Sequence, residues 1–273
     1  MELETCRQRD RRTEVTSSRR RVARRRRVPA PDPSRRASFG ADAVDTAVAA
    51  SFEALDIAPN YCDWIVDLCA PHLLGPVLEV GAGRGTLTER YAAFGAVTAV
   101  EPCSRAASLL ADRYGDDARV TTIAGLIGDV SAEPVFASAV MINVLERTDD
   151  DQGALREIFD RLEPGGRLCV WAPTYEFLYS EFDAELGRVR RYRKRQLEAD
   201  VRLAGYEVVE GRHVNLPGWL VWLILCRLLR RDPTAPAFVK TVDRWLVPAV
   251  RRIEERIWVP IGQTVFLVAR KPG

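Results

Sequence analysis

The chain has 273 residues, 47% hydrophobic and 29% charged, a composition able to bury a substantial core. Its longest uncharged apolar stretch, 214–226, has 13 residues and includes Asn215, Pro217 and Gly218. A membrane-spanning helix needs about 20 apolar residues, so none is predicted. Six cysteines without a CxxC pair, and only His72 and His213 beside them, argue against a zinc site or a disulfide scaffold. No metal is expected, and without an apolar stretch behind its arginines the N-terminus does not read as a secretory signal. A cytoplasmic protein is the expectation.

The 40 basic and 38 acidic residues are unevenly distributed. Residues 1–36 hold 13 Arg and five acids, a net +8, which leaves a net −6 for residues 37–273. Such a run repels itself and buries nothing, so residues 1–38 are expected to be a disordered Arg-rich arm. Three readings of it compete: a nucleic-acid or anionic-membrane arm, a solvated tail without a partner, or translation from upstream of a true start in a GC-rich coding sequence. Only Lys194, Lys240 and Lys271 among the basic residues are lysine, which suits the last.

Residues 39–75 carry two predicted helices, Asp42 to Leu55 and Cys62 to Leu73, punctuated by Pro59 and Asn60. Thereafter strands and helices alternate. A strand over 76–80 opens onto a glycine loop, with Thr86 placed to cap a helix from Leu87 to Phe94. A second strand, Ala96 to Val100, ends at Glu101. A helix from Ser104 to Tyr114 and a strand from Arg119 to Ala124 follow. Phe136 to Ile142 and Arg167 to Ala172 are the next strands, with a helix from Gln152 to Leu162 between them. A helix from Arg195 to Ala204 leads into a strand at 206–209, and the last strand is Thr264 to Ala269. This alternation predicts an α/β fold with a parallel sheet covered on both faces.

The chemistry-bearing segment is the loop Gly81, Ala82, Gly83, Arg84, Gly85, preceded by Glu79. Glycines where a strand becomes a helix let the backbone approach a ligand, and the helix N-terminus offers free N–H groups. Glu101, 20 residues beyond Gly81 at the next strand's end, is placed to accept two ribose hydroxyls. The spacing is GxGxG rather than GxGxxG, and Glu79 interrupts the strand. An acid there suits a ligand with an ammonium group better than a pyrophosphate, which favours S-adenosylmethionine over NAD.

The segments VLEVGAGRGTLTE (77–89), VTAVEP (97–102), MINVLE (141–146) and LEPGGRLCVWAP (162–173) resemble the class I S-adenosylmethionine-dependent methyltransferases over about residues 60–273. The stretch from Pro173 through Tyr179 and Asp183 to Leu186, Gly187, Arg188, Arg190, Arg191 and Tyr192 is similar to a bacterial small-molecule branch of these enzymes. The resemblance implies a Rossmann-like, seven-stranded, mostly parallel sheet in the order 3-2-1-4-5-7-6 within residues 76–273. It also implies S-adenosylmethionine as cofactor, with Gly81, Ala82, Gly83 and Gly85 along its methionine and ribose, and Glu79 near its amino group. Glu101 would hold the ribose, Pro102 would lie beside the adenine, and Asn143 close to the transferring methyl. The family's acid after the third strand is absent at Leu126, so the adenine contact falls to the Leu126 backbone or to Asp129. Two histidine positions of the family's pattern hold Arg147 and Arg188.

Methyl transfer from a sulfonium needs a positioned acceptor and sometimes a base. His213 is the expected base, with Glu146 and Tyr179 as further catalytic candidates, and Asp149 and Tyr175 behind them. The acids at 149–151 suit helix capping. The arginines at 188–193 read either as a solvated face or as an anion clamp. Class I members often join strands 6 and 7 by a short turn, whereas a helical insert over 214–262 is predicted here. Trp219, Trp222, Leu223 and Cys226 share one helical face. The insert reads as a hairpin packed on the sheet, a substrate cap, or a peripheral membrane contact. The expected activity is methylation of O or N on a small organic molecule, as in secondary-metabolite biosynthesis. The alternatives are a lipid-linked or membrane-associated substrate and a non-catalytic nucleoside-binding scaffold. No nucleic-acid partner is expected, because MINVLE departs from the Asn/Asp-Pro-Pro-aromatic motif.

Overall fold

The computed structural model describes residues 41–273 apart from Pro134; the arm expected over 1–38 lies outside the described residues. Two helices come first, α1 (Ala41–Asp56) and α2 (Pro59–Cys69). Pro59 stands at the start of α2, where a helix has an unbonded N–H to spare. The sheet then builds through β1 (Val77–Val80), β2 (Val97–Glu101), β3 (Val120–Ala124), β4 (Phe136–Ile142) and β5 (Leu162–Pro173). Between them run the short α3 (Thr88–Tyr91), α4 (Ser104–Tyr114) and α5 (Asp151–Arg161). After α6 (Glu181–Glu185) and α7 (Lys194–Leu203) come β6 (Glu207–Val214) and β7 (Thr264–Arg270).

The strand order is β3-β2-β1-β4-β5-β7-β6. β7 runs antiparallel to both its neighbours and the other pairs are parallel, as the resemblance implied. Every residue of β1 is buried, which explains why it reads as a run rather than an alternation. One face of the sheet is covered by α2, where Trp64 meets Trp171 edge-on at 6.4 Å and Trp171 lies 6.2 Å from Phe266. The other carries α5 and α7 through Leu155, Ile158, Leu197 and Val201. Each of these four is wholly buried, so truncating one to Ala would cost about 2–5 kcal/mol.

Three elements differ from expectation. The helix predicted from Leu87 to Phe94 is a single turn, and its N-cap, Leu87, has no side-chain cap. Thr86 instead donates its hydroxyl to Asp56 on α1. β6 extends to Val214 because it pairs with the whole of β7, which puts His213 on a strand opposite Val265. β5 begins at Leu162 and carries an irregularity at the Glu163–Gly166 turn, where the β4 pairing jumps from Leu162 to Arg167. The capping expectation at 149–151 is met: Asp150 accepts the Gly153 N–H at 2.9 Å.

Between β6 and β7 lies α8 (Leu216–Trp222), extended by a π-helical stretch over 223–228. α9 (Pro236–Thr241) runs through a second π-helical stretch into α10 (Val247–Glu254). The expected apolar face is present: Trp222 and Cys226 are buried with Leu178, Phe182 and Leu186, and Trp219 and Leu223 pack beside them.

Candidate active site

A cavity of about 820 Å³ opens at the carboxyl ends of β1, β2 and β4. Sheets of this kind place their ligands there. Its wall includes Gly81, Ala82, Glu101, Pro102, Leu126 and Asn143, six of the nine residues expected to hold a cofactor. The other three support that wall from behind. Gly83 and Gly85 both have positive φ, and a side chain would strike Phe52 of α1 at the first and Tyr114 of α4 at the second. Tyr114 donates its hydroxyl to the Gly85 carbonyl at 2.7 Å, so Gly85 serves the seating of α4. Glu79 is buried and accepts the Thr88 hydroxyl at 2.6 Å.

The amides of the loop's three glycines and of Ala82 are occupied. Gly81 and Ala82 both donate to the Val100 carbonyl, Gly85 donates to Ala82, and Gly83 donates to Glu101. With those four donors satisfied and α3 only four residues long, the loop is a poor amide cradle for a pyrophosphate. What it offers is shape and carboxylates. Glu101 accepts Gly83 N–H with one oxygen at 2.7 Å and Cys103 N–H with the other at 2.9 Å. Burial raises the Glu101 carboxyl above its usual range, opposed by those two N–H groups and by the Arg147 charge. Burial pushes Glu79 up to about 8, with the Thr88 hydroxyl opposing and the Glu101 charge adding to the rise.

Asn143 ends β4 in the left-handed region, φ 54, which Asn enters more readily than most residues. Its N–H donates to the Trp171 carbonyl at 2.8 Å. At the adenine end, Asp129 accepts the Leu126 N–H at 2.8 Å, so the two residues between which the sequence left that contact open are bonded to each other. Of this pair Leu126 lines the cavity and Asp129 does not.

None of the three residues expected to be catalytic lines this cavity. His213 lies in a separate small cleft with Trp64 and Trp258, its Nε2 3.2 Å from the Tyr175 hydroxyl. Burial and the Lys194 charge lower its pKa. Tyr179 donates its hydroxyl to the Arg188 carbonyl at 2.6 Å. Glu146 is fully buried behind Arg188, with its carboxylate 3.3 Å from the guanidinium.

Of the arginines at 188–193, Arg193 is exposed, as on a solvated face, and the other three are neither solvated nor bare. Arg188, Arg190 and Arg191 are all buried. Asp183 accepts from Arg188 at 3.0 Å and from Arg191 at 2.9 Å, while Arg190 pairs with Asp151. Trp222 of the insert stacks on Arg191 at 4.5 Å and on Arg188 at 5.4 Å. Arg188, Arg191 and Trp222 all reach the cavity wall.

Away from the loop the wall is mainly apolar: Leu55 of α1, Tyr61 of α2, and Phe238, Val242 and Val247 of the insert line it, beside the polar Asn215, Gln263 and Thr264. The insert is fixed over α2 by Asp243, which accepts the N–H groups of Tyr61 at 2.8 Å and Asn60 at 3.2 Å and the Asn60 amide at 3.0 Å. A lone acid in an apolar helix was the available signal for that contact. Tyr61 is pushed up to about 12, chiefly by burial, so its hydroxyl stays protonated at neutral pH.

A nucleoside bearing a cationic amino acid fits the loop end: a carboxylate for the ribose, a second buried acid beside it, and glycine amides already engaged within the protein. A side chain at Gly81 would collide with Val144 there. The comparisons agree. Residues 14–216 match the family model described as "Methyltransferase domain". No curated protein matches the chain. Among solved structures, the [4+2]-cyclase SpnF has 21% identity and a TM-score of 0.51, over 76% of this chain and 80% of that one. A possible histamine N-methyltransferase from Thermotoga maritima has 18% identity and a TM-score of 0.53, over 79% and 91%. Phosphoethanolamine N-methyltransferase 2 of Haemonchus contortus, solved with S-adenosyl-L-methionine, has 18% identity and a TM-score of 0.50, over 72% and 48%. At these identities the structural likeness establishes the fold. The chain belongs to the methyltransferase-domain family and has the fold of the class I S-adenosylmethionine-dependent methyltransferases.

Proposed function

We propose that this protein methylates O or N of a small, largely apolar organic molecule, in the manner of enzymes that tailor secondary metabolites. The observation that carries this reading is one cavity with a carboxylate at its loop end and a mainly apolar wall roofed by the insert. S-adenosylmethionine supplies the electrophilic methyl when bound. Glu101, Gly81 and Asn143 would hold it, with Glu79 behind the loop. The chain's part is then to orient the acceptor and exclude water.

Among the described residues the wall has no histidine; its acids are Glu101, assigned to the ribose, the exposed Asp149, and Asp243, whose oxygens are engaged by backbone N–H groups. That favours an acceptor with a ready lone pair near neutral pH, such as an uncharged amine, a ring nitrogen or an acidic phenol. Tyr61 would donate a hydrogen bond to such an acceptor, and Trp222, held on the two guanidiniums, would bound its apolar side. A lipid-linked acceptor is the second reading, favoured by the apolar roof.

Because the same fold serves a cyclase in SpnF, binding alone does not settle catalysis. Calorimetric titration with S-adenosylmethionine, S-adenosylhomocysteine and NAD comes first, followed by labelled-methyl transfer to panels of apolar amines, phenols and prenyl alcohols. Transfer to an amine or phenol, lost in Glu101→Ala, supports the reading. Transfer to the prenyl alcohols alone supports the second. Cofactor binding without turnover on any class returns the scaffold alternative.

A further inference from the structure

The insert's inner surface roofs the cavity; its outer surface is unlike the rest of the protein. Nine of the 16 exposed large apolar side chains among the described residues lie between Leu220 and Trp258; of these Leu246 also borders the cavity, and Ile257 and Trp258 also border the His213 cleft. Trp245 and Trp258 are each 69% exposed, and Leu228 is 67% exposed. Leu220, Ile224 and Leu228 recur every four residues, as one stripe, and Ile253 and Ile257 repeat that interval.

The charge is as uneven as the hydrophobicity. Residues 214–262 hold eight basic and four acidic side chains, a net +4, against a net −10 for the rest of the chain from residue 37 onward. Two of the four acids are turned inward: Asp243 holds α2, and buried Glu254 accepts the N–H groups of Asn215 and Leu216. Seven of the eight basic residues are exposed, Arg251 being half-buried against Asp67. The outward face is therefore apolar and cationic together. No helix among the described residues is long and apolar enough to cross a membrane.

We propose that the outer face of the 214–262 insert docks peripherally on an anionic lipid bilayer. Exposed tryptophans and leucines enter the interfacial layer while Arg227, Arg230, Arg231, Arg244, Arg252 and Arg256 meet the headgroup phosphates. Paired apolar and cationic side chains spread over three helical pieces suit a fluid surface better than a protein partner's fixed shape. Docking sets the cavity roof against the bilayer, the position from which an apolar acceptor would be handed over. The proposal stands on the insert alone and does not depend on which acceptor is methylated.

The test is co-sedimentation of the full chain with phosphatidylcholine vesicles and with equimolar phosphatidylcholine–phosphatidylglycerol vesicles, some carrying brominated acyl chains. The expected result is partition onto the anionic vesicles at least about tenfold above the neutral ones, with tryptophan emission quenched by bromine. Trp245→Ser with Trp258→Ser should abolish most of the quenching and lower partition by about tenfold. Replacing Arg230, Arg231, Arg244 and Arg252 by Gln should remove the preference for anionic lipid. Failure to partition onto either vesicle overturns the proposal. So does partition that the double tryptophan variant leaves unchanged, because that binding would come from residues 1–36, and so does self-association without lipid. Calorimetry with S-adenosylmethionine on each variant establishes that it is folded, and it reports on the methyltransferase reading separately from docking.

Discussion

Glu101 accepts the N–H of Gly83 at 2.7 Å across 18 residues of chain, so the carboxylate at the end of β2 also holds the loop that follows β1. A group that both shapes the loop and faces the cavity cannot be replaced without disturbing the two together. Glu101→Ala loses two charge-assisted hydrogen bonds within the protein and the acceptor for the ribose. S-adenosylmethionine affinity is expected to fall by about 10- to 100-fold, at roughly 1–3 kcal/mol for a hydrogen bond to a charged group. Glu101→Gln should fall less, since its amide oxygen accepts one of the N–H groups. Isothermal titration checks both, and affinity unchanged in Glu101→Ala would remove the residue from the site.

Gly81, which lines the cavity, excludes a side chain twice, by φ of 73° and by Val144. Gly81→Ala is expected to destabilise the protein by about 1–3 kcal/mol and to weaken cofactor binding at least tenfold. Adding Val144→Ala relieves the collision but not the backbone strain, so the double variant should recover binding in part. Full recovery would mean that the left-handed conformation matters little here.

The fold was legible because hydrophobic runs, turn residues and the glycine loop coincide, and the strand order followed from the resemblance. The loop end of the site was legible for a related reason: Gly81, Glu101 and Asn143 each sit at a strand end, where position and chemistry are read together. The apolar end was not. Asp243 lies 183 residues from Asn60, and no local pattern announces that pairing. Arg188 and Arg191 stood out as a charge run, but only the fold brings Asp183 and Trp222 against them. His213 stands out as the one histidine of the C-terminal half, and the length of β6 carries it away from the cavity.

His213→Ala should therefore keep turnover within about twofold of the parent, since it removes a weak contact with Tyr175 and no group on the cavity wall. Steady-state kinetics with any accepted substrate decides it. A loss of about 100-fold or more in kcat would restore His213 to the chemistry.

Asp183 is fully buried between two guanidiniums, and its carboxyl lies below its ordinary value because Arg191 and Arg188 outweigh the cost of burial. A depressed carboxyl stabilises the fold above its unfolded value, near pH 4, and that stability is lost as pH falls through the native value. Asp183→Ala leaves both arginines buried without their shared partner and should cost about 3–5 kcal/mol. Asp183→Asn keeps the shape and loses the charge, so it should flatten the acid limb of a stability curve. A variant as stable as the parent at neutral pH would show the pair to be dispensable.

Glu79 works in the opposite sense. Its native carboxyl, pushed up to about 8, holds a proton that the unfolded chain has already released above its ordinary value near 4.5. Unfolding between those two values releases that proton, so rising pH favours the unfolded state. For one group the loss is at most about 1.4 kcal/mol per pH unit, and it stops once the native carboxyl has ionised. Glu79→Gln keeps an oxygen for the Thr88 hydroxyl, which Glu79 accepts at 2.6 Å, and has no proton to lose. Without cofactor, parent and variant should therefore be similarly stable near pH 4, and the variant should gain steadily over the parent up to about pH 8. Urea unfolding of both proteins across that range measures the difference directly. Parallel curves would mean that Glu79 is already ionised in the native protein, and that the charge expected beside the cofactor's amino group is present before it binds.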